Sequence, residues 1–223
     1  MGDIAGLGER FLKAYAESGI EGAHAFVREH AAVLRENIFA AAAFGSGDDV
    51  AAILRAGGDP NAALPTTHAG HLPVPVLYVA CVVGNAAAAR VLLEAGANPN
   101  DGESVYHAAE HDHRDCLELL KAHGAELSAA HAHWGNTPLY FLCGYQGTDP
   151  RRDTVERGMQ WLLEHGADPN VPSYLKPSDD EPLGAGEVPL HRLAANGWDA
   201  DTVRRFVEHG AQVDAARADG RTP

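Results

Sequence analysis

The stretch Val188-Pro189-Leu190-His191-Arg192-Leu193-Ala194-Ala195-Asn196-Gly197 decides how this chain is read. It is followed by Val203-Arg204-Arg205-Phe206-Val207-Glu208-His209-Gly210-Ala211. Pro189 suits the first turn of a helix, because the N–H it lacks has no partner there anyway. Gly197 breaks that helix, an amphipathic helix follows, and Gly210 supplies a left-handed stop. Two short helices cannot bury their apolar faces alone, so neighbouring copies are expected.

The copies are present. Ile38-Phe39 leads an alanine run to Phe44-Gly45, and Asp49–Leu54 precedes Gly57-Gly58-Asp59-Pro60-Asn61. Pro75–Cys81, Gly84 and Val91-Leu92-Leu93 lead to Gly96-Ala97-Asn98-Pro99-Asn100. Ser104–Ala109 and Cys116–Leu120 lead to Gly124, and Thr137–Leu142 and Trp161-Leu162-Leu163 lead to Gly166-Ala167-Asp168-Pro169-Asn170. This pattern resembles the ankyrin repeat, T-P-L-H-x-A-A followed by G, an apolar run and G-A-D. The resemblance covers residues 36–223, as five repeats and the opening of a sixth, in a divergent member of bacterial type. It implies an all-α solenoid of helix-turn-helix units. Residues 1–35 lack the signature and read as an N-terminal helical cap, with one helix over 3–17, a break at Ser18-Gly19, and a second from Ala25 to Leu34.

Spacing separates the regular repeats from the individual ones. The terminal glycines Gly57, Gly96, Gly124, Gly166 and Gly210 lie 39, 28, 42 and 44 residues apart, against a family period of about 33. The connection from Asn61 to Val74 is long, and that from Asn98 to Glu103 is short enough to lack the usual projecting finger. In the fourth repeat the excess falls between the helices, within Tyr145–Asp153. In the fifth it falls in Val171–Glu187, which carries Asp179-Asp180-Glu181. Insertions in repeat proteins gather on loops of one face, often the binding face.

Composition narrows the partners. With 31 acidic and 17 basic residues the net charge is −14. That disfavours a phosphate backbone or an anionic membrane surface and is compatible with a basic protein surface. Cys81, Cys116 and Cys143 lie in apolar helical contexts without a paired spacing, and read as buried thiols in a reducing compartment. With an amphipathic, acidic N-terminus unlike a signal peptide, the expected location is the cytoplasm. The chain ends on Asp219-Gly220-Arg221-Thr222-Pro223, the start of a further repeat, so an effector domain beyond Pro223 is one expectation.

No nucleophile elbow, zincin helix, P-loop or dinucleotide fingerprint is present, so an enzyme is not expected and no cofactor is implied. His107 and His111, four apart, share a helix face at ligand-like spacing, which makes a metal or small-molecule site in the groove, with catalytic use left open, the alternative. Glu110 and His111 nevertheless fall where ankyrin scaffolds carry variable inner-helix side chains. The resemblance implies a protein-binding scaffold acting through a concave groove and its loops. The expected contact patch is Tyr106, His107, Glu110, His111, His131, His133, Trp134 and Tyr145. The family histidine of the opening turn is His191, with Tyr78, Tyr106 and Tyr140 in its place elsewhere; the resemblance implies a structural hydrogen bond there. Trp161 leads an apolar run and is expected in the core, and Trp198 is expected to pack. Trp134, in a turn, either anchors an interface or packs over a neighbouring repeat.

Overall fold

A computed structural model describes residues 7–64, 73–173 and 186–223. Among the described residues it contains eleven α-helices, one 3-10 turn and a two-stranded sheet. The chain divides into two compact units, residues 1–104 with 115–124, and residues 105–114 with 125–223. The acidic cluster Asp179-Asp180-Glu181 lies outside the described residues.

The first unit begins with α1 (Leu7–Glu29), continued by a 3-10 turn at Ala31–Arg35. Its helical hydrogen bonding passes through Ser18 without a gap, yet it doubles back. Phe11 meets Phe26 edge-on at 6.4 Å, and Arg10 Nη2 lies 3.3 Å from His30 Nε2. Residues fifteen apart on a straight helix would be separated by about 22 Å. The bend falls near Ser18–Gly22, where a Cβ on Gly22 would sit 2.4 Å from the Ser18 Cβ. The expected break is thus a sharp bend, and the second arm ends at Glu29 instead of Leu34. Phe11 also packs edge-on against Phe44, at 6.5 Å, which seats α1 on the first repeat.

That repeat is α2 (Ile38–Phe44) and α3 (Gly47–Arg55). Asn37 caps α2 by accepting from the Phe39 and Ala40 amides at 3.0 Å, and Ser46 with Asp49 forms a capping box on α3. Then come β1 (Ala63–Leu64) and β2 (Val74–Pro75), which pair antiparallel at the base of the long connection. These strands are an addition to the all-α expectation. The second repeat is α4 (Val76–Val82) and α5 (Ala86–Glu94). Ala40, Ala41, Ala42, Ala80, Ala88 and Ala89 have no exposed surface, so the alanines do bring helices close together. Helix α7 (Arg114–Ala122), from Asp115 on, completes this unit and buries Cys116, Leu117, Leu119 and Leu120.

The second unit takes α6 (Ser104–Glu110) from Val105 on, then α8 (Pro138–Leu142), α9 (Arg152–Glu164), α10 (Pro189–Ala195) and α11 (Ala200–Glu208). Thr137 caps α8 by accepting from the Tyr140 amide at 3.2 Å, with Pro138 in the first turn. Helix α9 has 13 residues where α3, α5, α7 and α11 have 9. The insertion expected as loop over Tyr145–Asp153 is therefore loop only to Arg151, and its end extends the helix. Fully buried Trp161, Tyr140, Phe206, Leu139 and Met159 form this unit's core, as expected for Trp161.

The repeat signature acts locally as its chemistry predicts. Gly57, Gly96, Gly124, Gly166 and Gly210 all have φ between 90° and 98°, the left-handed conformation that ends each second helix. Gly84 and Gly197, between paired helices, have φ of 74° and 70°; the equivalent residue in the third repeat is Asp112, at φ 55°. A further regularity comes from the Pro-Asn steps. Asn61 Nδ2 donates to the Gly96 carbonyl, Asn100 Nδ2 to that of Gly124, and Asn170 Nδ2 to that of Gly210, at 2.9–3.2 Å. Each asparagine thereby satisfies a carbonyl that the next helix stop leaves open.

Candidate partner-binding site

In the second unit, turn 131–136 is built around His131. The His131 amide donates to Asn136 O at 2.7 Å, and the Gly135 amide to His131 O at 2.8 Å. The His131 Nδ1 accepts from the amides of both His133 and Trp134 at 3.0 Å. The Tyr106 hydroxyl closes the turn from beneath by donating to Asn136 O at 2.6 Å. With these bonds made, the loop has little freedom left, and Trp134 is presented at 45% exposure.

Behind Trp134 runs a row of rings in mutual contact. Trp134 lies 6.5 Å from His131, His131 5.9 Å from Tyr106, and Tyr106 5.9 Å from Phe141. Phe141 in turn meets His107 at 5.6 Å and Tyr145 at 6.0 Å, both edge-on. The guanidinium of Arg151 covers the Tyr145 ring at 4.6 Å from its centre. Five of the eight expected residues stand in this row, His133 joins against Trp134 at 4.5 Å and Glu110 through His107; His111 lies at the edge, its Nε2 3.9 Å from the Glu110 carboxylate.

Glu110 is the polar node. Its carboxylate lies 2.7 Å from His107 Nδ1 and 3.1 Å from Arg151 Nη1, and it accepts from the Tyr145 hydroxyl. Burial pushes the Glu110 carboxyl up, but the hydrogen bonds from His107 and Tyr145 and the nearby histidine charges outweigh it and hold its pKa at about 2. Burial is also the main reason that the Tyr145 hydroxyl is raised, with the Glu110 carboxylate adding to it, and that His111 is lowered. A carboxylate so placed stays ionised and fixes the orientation of three side chains. The Cys143 thiol, wholly buried, is pushed far up by its burial. Among the described residues no group of three or more His, Cys, Asp or Glu is placed to hold a metal ion.

The expected patch therefore has two layers. Tyr106, Glu110 and His131 are buried, at 7%, 6% and 9% exposure, and support the surface where direct contact was expected of them. Trp134, His133, His107, His111 and Tyr145 stay accessible. Two residues join that the sequence reading left out. Phe141 occupies the inner-helix register of His107, one position after the family histidine, so register alone could have found it. Arg151 lies inside the insertion, and no periodic signal points to it. Trp198 packs as expected, 7% exposed, its Nε1 donating to Tyr145 O at 2.8 Å. His191 is structural, accepting from the Val188 amide through Nδ1 at 3.2 Å, and the Tyr140 hydroxyl donates to Glu187 instead.

A family model for three copies of ankyrin repeats matches residues 38–131 and 77–173, and a single ankyrin repeat model matches 185–218. The chain belongs to the ankyrin repeat family. Ankyrin repeats are in general protein–protein interaction modules. No curated protein matches the sequence. Among solved structures the chain is similar to the human ASB11 ankyrin repeat domain, at 23% identity and a TM-score of 0.62 over 95% of this chain and 88% of that one. At that identity the likeness concerns the fold. Among the described residues no helix is long and apolar enough to cross a membrane.

Proposed function

We propose that this protein is a binding scaffold whose partner docks on the accessible rings of the third and fourth repeats, with Trp134 as the exposed anchor. The observation that carries this reading is a tryptophan 45% exposed on a turn that four internal hydrogen bonds hold in place. Exposing a large ring to water is unfavourable, and a rigid one loses little entropy when covered, which is the profile of an interface hot spot. The network around Glu110 serves the same end, since it holds His107, Tyr145 and Arg151 in one arrangement before any partner arrives.

Affinity capture with the 223-residue chain tests the reading, with Trp134→Ala, His107→Ala and the distant Val213→Ala compared by quantitative mass spectrometry. Partners held by the wild-type protein should be retained by Val213→Ala and lost by Trp134→Ala, with a smaller loss for His107→Ala. Equal recovery by wild type and Trp134→Ala would place the interface elsewhere.

A further inference from the structure

The chain's acidity enters this site through Glu110, whose carboxylate is already paired. Between Leu127 and Thr148, 22 consecutive residues include no Asp, Glu, Lys or Arg, in a chain that is 22% charged. The charges that touch the ring row are already matched: Glu110 by His107, Tyr145 and Arg151, and Arg151 by Glu110 and Asp149. Among the described residues a basic partner would find no uncompensated carboxylate in the row, so the net charge of −14 is not what this surface offers. An uncharged partner segment is the complement of such a surface.

The row also holds one unused directional group. Trp198 spends its indole N–H on the Tyr145 carbonyl, whereas the Trp134 Nε1 has no acceptor among the described residues. A partner covering Trp134 without supplying an acceptor would bury that donor unsatisfied, at a penalty. The occupant must therefore be uncharged, flat enough to lie along rings, and rich in free carbonyls. Helices and paired strands have spent their carbonyls internally. A polyproline II segment has not: it makes no internal hydrogen bonds and lays pyrrolidine faces on aromatic surfaces. Among the accessible rings, Phe141 lies 5.6 Å from His107 and 6.0 Å from Tyr145, about two residues of a chain that rises about 3.1 Å per residue.

We infer that the ring row binds an uncharged, proline-rich extended segment, with Trp134 Nε1 donating to one of its backbone carbonyls. This rests on the reading of the row as the docking site. The test titrates the full chain with a proline decamer, a lysine- and arginine-rich decamer and an alanine-rich helical peptide. Tryptophan emission provides the signal, since Trp161 and Trp198 are buried. Saturable binding of the proline decamer alone is expected, weakened at least about 10-fold by Trp134→Ala. Trp134→Phe, which keeps a ring and removes the N–H, should weaken it about 5-fold. Preference for the basic or helical peptide overturns the inference, as does undiminished binding by Trp134→Phe. Failure of the proline decamer to bind, while Trp134-dependent capture of a protein persists, sinks this inference and leaves the docking site standing. Loss of both removes the docking site as well.

Discussion

Trp134 and Trp198 both sit in turns of the second unit, and the molecule uses them in opposite ways. Trp198 is 7% exposed, with its indole N–H bonded to Tyr145 O; Trp134 is 45% exposed, and its indole N–H has no acceptor among the described residues. The difference comes from what lies beside each. The insertion in the fourth repeat folds against the turn at Trp198, where the Gly147 amide donates to Asn196 O at 2.9 Å and Gln146 Nε2 meets Asn196 Oδ1 at 2.8 Å. The turn of Trp134 is closed by His131 within it and by the Tyr106 and Ser173 hydroxyls against its backbone, and leaves its tryptophan outside. Tyr145 belongs to both regions: its carbonyl holds Trp198, while its hydroxyl and ring belong to the row behind Trp134. One residue thus joins a packed support to an exposed surface, and the inserted loop is a structural device before it is a binding loop.

The comparison can be broken most readily at its buried end. Trp198→Ala removes a packed ring and orphans the Tyr145 carbonyl, and should lower stability by about 3–5 kcal/mol in urea unfolding. A loss under 1 kcal/mol would mean that the insertion does not lean on it. Gly147→Ala strikes the same contact from the other side. Its Cβ would lie 2.2 Å from the Gly197 carbonyl oxygen, so the loop must move, at a cost of about 2 kcal/mol by the same measurement.

Glu110 probes the exposed side. Glu110→Gln leaves the charge of Arg151 and the bond from His107 without a carboxylate, and should destabilise by about 2 kcal/mol at neutral pH. Because the folded pKa of about 2 lies below the ordinary 4.5, the carboxylate's contribution is fully present above pH 4.5 and is lost as pH falls toward 2. The stability gap between wild type and Glu110→Gln should therefore close across that window; a gap independent of pH would separate the network from the ionised form. The smallest expected effect is at Trp134 itself. Trp134→Ala should change stability by no more than about 0.5 kcal/mol, since the turn's hydrogen bonds use His131 and the backbone. A larger loss would make Trp134 a packing residue like Trp198.

The sequence and the structure agree most closely where local rules dominate. Glycine stops, proline openings and apolar pairs act within a few residues, so Gly57 through Gly210 and Thr137-Pro138 were legible one by one. Phe141 is marked in the same way, by a register that matches that of His107. The asparagine bridges were written in the Pro-Asn steps, but their acceptors lie 24 to 40 residues onward. The candidate site depends on such distant pairings. Residue type and spacing told Tyr106 from neither Tyr145 nor His131 from His133, because burial is decided by which loop folds over which ring. Arg151 was out of reach for the same reason: its partners, Glu110 and Tyr145, come from another repeat and from the start of the insertion.

The most direct measurement of the contrast is the indole region of a ¹⁵N–¹H correlation spectrum, with the three signals assigned by single Trp→Phe substitutions. In the free protein the Trp134 N–H should exchange rapidly with water while that of Trp198 is protected, and adding a captured partner should shift Trp134 alone. A Trp134 signal that is protected in the free protein, or unmoved when the partner binds, would contradict the account.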